Sequence, residues 1–529
     1  MAPGDATGPI NFHDLPNNTN KWWFLDPCLR WNMVHCIGLC GTLYFAGYDG
    51  SLFNGLQGLE QWQEYYGNPS GNLLGLAGAA LYLPSVVTAF VADYISTKYG
   101  RRWAIWIGSV IVIGGACVNS ASTSFGMYIG GRAFMGVGSA LCLTAGPALL
   151  QEVAHPRYRA TIGGFYTGIY YIAAIISGWT CYAMIGVEGT KAFRIPCYLQ
   201  ILGPALVLIL TCTCPESPRW LVHRGHLDEA KHVLAKYHAN GDFDDPLVNH
   251  QMKEITAALA DEEASNKVSY MDFLRTPANR RRLIVLLATS VGTNWVGNAL
   301  VSYYLASILR SVGITSPTQI EALNGGLAIY NLFVSSFACL YVEEIGRRVL
   351  WLTSTIGMLV SYIVITGLSA GFAENGSKAL GTAVIPMLFI FYGFYDIAWT
   401  PLAYAYPVEI LPFHMRIKGM ALWVSIQNVA IAVNTWVNPI ALDAIAWKYY
   451  LVYVVIIAIF AVIIYLWFPE TKGLSMEEVT FVFDAGRSGG RSAAALRLQE
   501  LAQAGSQVES EEIKAPIEHI EVNEATHIA

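Results

Sequence analysis

Three ionisable side chains, Asp49, Arg132 and Asp396, stand inside long apolar stretches of this chain. Such groups are costly to keep out of water, so in an apolar span they point to function by default. Asp49 lies near the outer end of its stretch. Arg132 enters another from the same side by roughly eight residues, about 12 Å at the helical rise, so the two share a depth. A carboxylate placed there can take a proton from outside and, once neutral, release the arginine, because its protonation responds both to burial and to the nearby cation. A structural salt bridge, or a kink at Asp49-Gly50, would use the same residues. Asp396, flanked by Tyr395 and Trp399, serves either as a second proton site or as an acceptor for substrate hydroxyls.

A second group is polar without being charged. Thr293-Asn294-Trp295-Val296-Gly297-Asn298 is followed by Tyr303-Tyr304, and further stretches carry Trp399, Tyr404, Gln427 and Asn428. Amides in spanning helices face the interior rather than lipid. Together with aromatic faces they suit a ligand that has hydroxyls and C–H surfaces, as a sugar does. Each amide can also simply tie helices together, a reading that weighs most for Asn434, while Trp and Tyr also belong to interfacial belts.

A third group recurs. Gly100-Arg101-Arg102 returns as Gly346-Arg347-Arg348, Glu152 with Arg159 as Glu409 with Arg416, and Pro215-Glu216-Ser217 as Pro469-Glu470-Thr471, at offsets of 246, 257 and 254 residues. A duplicated membrane-spanning half is the simplest cause. Charges at Asp93, Arg101, Arg102, Glu152, Arg159, Glu216, Arg219, Glu344, Arg347, Arg348, Glu409, Arg416 and Glu470 form a cytosolic gate whose ion pairs hold the halves shut in one state and break in the other. Topology and headgroup contact explain any one Arg cluster, but not a Glu seven residues before an Arg in both halves.

The elements that must position these residues follow from length and composition. Among 529 residues 54% are hydrophobic and only 13% charged, too apolar for a soluble enzyme. Segments of roughly 20 apolar residues match the bilayer core, and twelve are placed at 32–54, 73–94, 103–122, 125–150, 161–184, 195–214, 283–307, 320–341, 349–371, 381–407, 418–440 and 448–468. The expectation is an all-α membrane protein of twelve transmembrane helices in two six-helix, pseudo-symmetric halves. Its parts are a cytosolic N-terminal tail (1–31), an N-terminal half (32–214), a linker with short helices near 227–238 and 247–263 (215–282), a C-terminal half (283–468) and a mostly disordered cytosolic tail (469–529). Lys98, Arg157, Lys418 and the gate arginines put the even-numbered loops inside, whereas loop 55–72 has no Lys or Arg, so both termini are cytosolic.

The net charge of −6 and the lack of a long basic stretch give no footprint for nucleic acid. No nucleophile with a base, phosphate loop or metal cluster stands out, so neither an enzyme nor a cofactor is expected. The ten cysteines read as packing residues, with Cys181 and Cys197 across one outer loop as the one pair in position to bond. Asn375-Gly376-Ser377 is a glycosylation sequon in an outer loop.

The motifs resemble those of the sugar porters of the major facilitator superfamily over about 30–480, and most closely a fungal lactose permease-like branch. Gly47-Tyr48-Asp49-Gly50 is similar to the family's first-helix motif, and Asp93 with Gly100-Arg101-Arg102 to its loop-two signature. Gly131-Arg132 matches its fourth-helix motif, and Pro215-Glu216-Ser217-Pro218-Arg219 with Pro469-Glu470-Thr471-Lys472-Gly473 its two linker signatures. The resemblance implies the major facilitator fold and makes Asp49 and Arg132 a proton-coupling pair. Gln427 matches a sugar-contacting glutamine. Thr293 and Asn294 replace a pair of glutamines, Thr167 and Ala174 replace two more, Ala299 an asparagine and Tyr404 a frequent tryptophan. These departures speak against a hexose pattern.

The reading is a monomeric, multi-pass plasma-membrane carrier that works within lipid and imports a sugar, such as lactose or cellobiose, with protons. The rivals are a transporter-like sugar sensor and a carrier for a hexose, polyol, quinate-like acid or outward-moving metabolite. An acid cargo would want several central cations, and beyond Arg132 there are none.

Overall fold

A computed structural model describes residues 17–20, 22–265, 269–472 and 482–483. The tail segments expected on either side of these, including Gly473 of the last motif, lie outside the described residues. Among the described residues there is no strand. The long helices are α1 (Pro27–Gly58), α2 (Gly71–Ala79 and Tyr82–Tyr99), α3 (Arg101–Ser120), α4 (Phe125–Val153), α5 (Arg159–Met184) and α6 (Lys191–Leu199 and Leu202–Leu210). A second set follows: α7 (Pro277–Trp295 and Asn298–Ser311), α8 (Pro317–Ile345), α9 (Arg347–Asn375), α10 (Lys378–Ala398 and Leu402–Ile410), α11 (Phe413–Ile445) and α12 (Tyr449–Trp467). Each of the twelve apolar segments read from the sequence falls on one of them. Among the described residues nine helical stretches are long and apolar enough to cross a membrane, one of them running through both α11 and α12. Helices α1 and α5 are not in that set, diluted by Asn32, His35, Asp49 and Asn54 on the one and by tyrosines and glycines on the other.

Between the sets, Leu227–His238 and Pro246–Ser265 are helical, close to the two linker helices expected. They dock on the first set: His238 Nε2 lies 3.0 Å from the Val153 carbonyl, and Asn18 Nδ2 donates to the Ala239 carbonyl at 2.8 Å. Asp26 starts α1 by accepting from the Cys28 and Leu29 amides, a side-chain N-cap.

Two breaks matter for the interior. α7 is interrupted at Gly297, which has φ +97° and would drive a Cβ into the Tyr362 ring, so glycine is required there. α10 is interrupted before Pro401, which has no N–H to continue the helical ladder. Both breaks sit beside the amide- and aromatic-bearing segments, where non-helical backbone is tolerated because protein surrounds it.

The sets meet where α1 packs on the second stretch of α7, α2 on α11 and α5 on α8. Hydrogen bonds across this seam gather at the end bearing loop 55–72. Gln57 Nε2 donates to the Tyr303 carbonyl at 2.8 Å, the Ala306 amide to Asn54 Oδ1 at 3.2 Å, and Trp436 Nε1 to Asn72 Oδ1 at 2.8 Å. The seam is thus closed at the end opposite the arginine-rich turns.

Candidate functional site

Asp49 of α1 and Arg132 of α4 meet in a two-pronged ion pair, Nη1–Oδ1 3.1 Å and Nη2–Oδ2 3.0 Å, both side chains being fully buried. Fork geometry of this kind is the strongest form of the contact. Arg132 Nε donates to the Ala77 carbonyl at 2.7 Å, and the guanidinium lies 4.4 Å from the Phe53 ring centroid. Gln200 of α6 donates to Asp49 Oδ1 at 2.9 Å. Removing the negative charge from Asp49 would leave a buried cation with a carbonyl and a ring for support, a strong driving force for rearrangement. Gln200 went unnoticed in the sequence, although a lone amide in the apolar segment 195–214 was the available signal.

Asp396 lies on α10 at the seam. Its Oδ1 accepts from Tyr171 of α5 at 2.8 Å and from Thr400 at 2.7 Å. The Asn331 amide of α8, oriented by its own network, donates to Oδ2 at 3.2 Å. The carboxylate therefore joins the two helix sets through Tyr171, a partner that nothing in the sequence distinguishes from other tyrosines.

The polar residues of α7, α10 and α11 divide into two groups. Asn298 donates to the Tyr395 hydroxyl at 3.0 Å while its own oxygen has no partner, and the buried Asn294 has an unpartnered amide nitrogen. Tyr404 donates to Gln427 Oε1 at 3.3 Å and is 54% exposed; Asn428 and Thr167 are half-buried. Tyr303 shares a 2.6 Å hydrogen bond with Tyr82 across the seam, and a Cβ on Gly50 would touch both Tyr303 and Tyr170. These groups have capacity for a ligand. Trp295 Nε1 is spent on the Ala430 carbonyl, Tyr304 on the Thr435 carbonyl, and the fully buried Trp399 on Thr355 while it packs on Trp351. Their indole and phenol groups tie helices of the second set together.

The charged ends repeat. Glu216 accepts from the Arg101 and Arg102 amides at 3.0 and 3.1 Å, and Glu470 from the Arg347 and Arg348 amides at 2.9 and 3.1 Å. Each carboxylate thereby caps the start of α3 or α9. Glycines at φ +107° and +106°, Gly100 and Gly346, let it approach. Arg101 pairs with Glu152 and Arg347 with Glu409, each at 3.3 Å. Each of these pairs lies within its own set, and Glu216 and Glu470 likewise sit on helix starts of their own set. Arg102 and Arg348 bind the Cys214 and Tyr465 carbonyls, each at 2.8 Å. Lys472 reaches the Glu344 carbonyl. Asp93 and Arg219 are exposed, and Arg159 and Arg416 are half-buried. Cys181 and Cys197 are both free and buried, as packing residues. Glu321 is a further intramembrane acid, 0% exposed, which the sequence reading passed over.

A helical bundle with a buried ion pair in one set, a second acid on the seam and a seam closed at one end defines a polytopic carrier of the major facilitator fold. Residues 33–483 match the family model described as "Sugar (and other) transporter", and the chain belongs to that family; it is a transporter, not an enzyme. It is 30% identical over 451 residues to the MFS-type transporter oryC of Aspergillus oryzae, covering 83% of each chain. It is also 26% identical to the high-affinity glucose transporter of Kluyveromyces lactis, covering 84% of each. Its fold is like that of the inward-open xylose transporter XylE of E. coli, with a TM-score of 0.70 at 20% identity over 86% of this chain and 99% of that one.

Proposed function

We propose that this protein imports a sugar, a disaccharide such as lactose or cellobiose, by proton symport. The observation that carries the reading is the buried Asp49–Arg132 pair with Gln200 donating to the acid. A proton arriving from outside neutralises Asp49, frees Arg132 and lets the halves rock about a site near the midplane. Asp396 is assigned to coupling as well, through its link to Tyr171. Asn294, Asn298, Tyr303, Tyr404, Gln427, Asn428 and Thr167 contact sugar, while Trp295, Tyr304 and Trp399 shape the wall behind them. The departures from glutamine at Thr293, Asn294 and Thr167 count against a hexose carrier, and the Gly297-Asn298 and Val301-Ser302-Tyr303-Tyr304 spacing resembles that of the fungal disaccharide branch.

In this reading residues 32–214 and 283–468 are the two halves, joined by the linker 215–282. The arginine-rich ends and both tails face the cytosol, and the membrane is the plasma membrane. The charged caps brace each half as it rocks, and the protein works as a monomer in lipid. A second reading keeps the carrier and changes its cargo: the interior is rich in tyrosine, with Tyr170, Tyr303, Tyr392, Tyr395 and Tyr404, and a relative at 30% identity bears a general transporter name. Such a lining also suits a less polar metabolite.

Uptake of labelled lactose, cellobiose and glucose into transporter-deficient yeast, with external pH recorded and a protonophore control, tests the proposal. Protonophore-sensitive accumulation of a disaccharide with external alkalinisation is the expected result. No uptake of any of the three despite surface expression would favour the other cargo.

A further inference from the structure

Glu321 stands one turn into α8, at the closed end of the seam, 0% exposed, and neither carboxyl oxygen has a hydrogen-bond partner. It is received by glycines of the opposite set. A Cβ on Gly58 would lie 2.0 Å from Oε1 and one on Gly55 3.0 Å from Oε2, with the Cys181 sulfur of α5 beside the same glycine. The Asn324 amide stands beside the carboxyl and is engaged with other partners as well. Asn324 takes the Asn54 amide on its oxygen at 3.1 Å and turns its nitrogen to Ser51 at 3.4 Å. The ionisable groups that face Glu321 are Arg310 of α7, half-buried and shared with Glu60, and the Cys181 thiol of α5. From α1 it meets Gly55 and Gly58.

An ionised carboxylate in such a place would be a buried charge without hydrogen bonds, which proteins avoid by binding a proton. We propose that Glu321 is a further proton-binding site, occupied when the loop 55–72 end of the seam is closed and emptied when the halves part and water reaches it. Closing that end therefore takes up a proton, separately from the titration of Asp49. By linkage, low pH favours closure. Above the pH at which the exposed carboxyl ionises, each further pH unit raises the open-to-closed ratio by up to about tenfold. The inference needs only the rocking of the two sets and not the identity of the cargo.

The test is a spin-label distance across the seam, between cysteines placed at the exposed Glu64 and Thr318, with the exposed Cys117, Cys212 and Cys339 replaced by serine. The full-length protein, in lipid nanodiscs, is measured from pH 5 to pH 9. The expected result is a short distance at low pH, with a longer one growing by at least tenfold in ratio as pH rises. A shift in the same direction persists in Asp49→Asn and is reduced in Glu321→Gln, which stays more closed than the parent at high pH. Glu321→Asp, which keeps the acid should the amide variant not fold, still shifts, with a moved midpoint. A pH-independent distance in the parent protein, or an unchanged shift in Glu321→Gln, would overturn the proposal.

Discussion

Asp49 holds its position through three N–H donors, two from Arg132 and one from Gln200, so each partner contributes something separable. Gln200→Ala removes a neutral donor to the Asp49 carboxylate and should weaken coupling without abolishing it, lowering concentrative uptake several-fold while exchange at equal pH is kept. Unchanged concentrative uptake would mean that Gln200 only packs. For the substrate set, Asn294→Ala and Gln427→Ala should each raise the half-saturation concentration about five- to tenfold, the loss of roughly one hydrogen bond, with surface expression unchanged. Direct binding of the cargo to purified variants checks this. The three intramembrane charges could be picked out from the sequence because charge in an apolar run is rare. Gln200 showed only as a lone amide in an apolar segment, Tyr171 is like any other tyrosine there, and Glu321 stands at the edge of its segment, where an acid usually meets water.

At the element scale, the start of α3 depends on Gly100, whose φ of +107° and closeness to Glu216 leave no room for a side chain. Gly100→Ala should cost about 1–3 kcal/mol from backbone strain, and Gly346→Ala should cost about the same at the start of α9. Thermal unfolding of purified variants reads this directly, and a pair of neutral substitutions would contradict the capping account. The contact between linker and bundle has a pH dependence of its own. His155, after α4, is buried, its Nδ1 accepts from the Arg157 amide at 3.2 Å, and His238 lies 5.2 Å away. Burial first, then the neighbouring His238 and Arg157 charges, push its imidazole down to about 2 from 6.5. The unfolded chain thus binds the proton that the folded chain refuses. Its contribution is complete above about pH 6.5 and falls by about 1.4 kcal/mol per unit as pH drops toward the folded value. His155→Phe should flatten that acid limb in a pH series of melting temperatures, and an equally steep limb would assign it elsewhere. The repeated Gly-Arg-Arg and Pro-Glu motifs were legible as pairs. Their role as helix caps was not, since capping depends on a turn that brings residue 216 back to residue 101.

Over the whole molecule, hydrophobic run length located the helices, and the repeats showed that the chain is built twice. The packing of α2 on α11 and of α5 on α8 left no trace in either, because both faces of such a seam carry the same small and polar residues. The breaks in α7 and α10 were visible only as Gly297 and Pro401 within otherwise apolar runs. The proposed function turns on the buried pair of the first set: Asp49 exchanges its hold on Arg132 for a proton, and accumulation follows from that exchange. It is tested most directly in vesicles reconstituted with purified protein, by comparing Asp49→Asn with the parent chain in two modes, sugar exchange at equal pH and sugar accumulation under an inwardly directed proton gradient. The variant should keep exchange and lose accumulation. Concentrative uptake that survives in Asp49→Asn would contradict it.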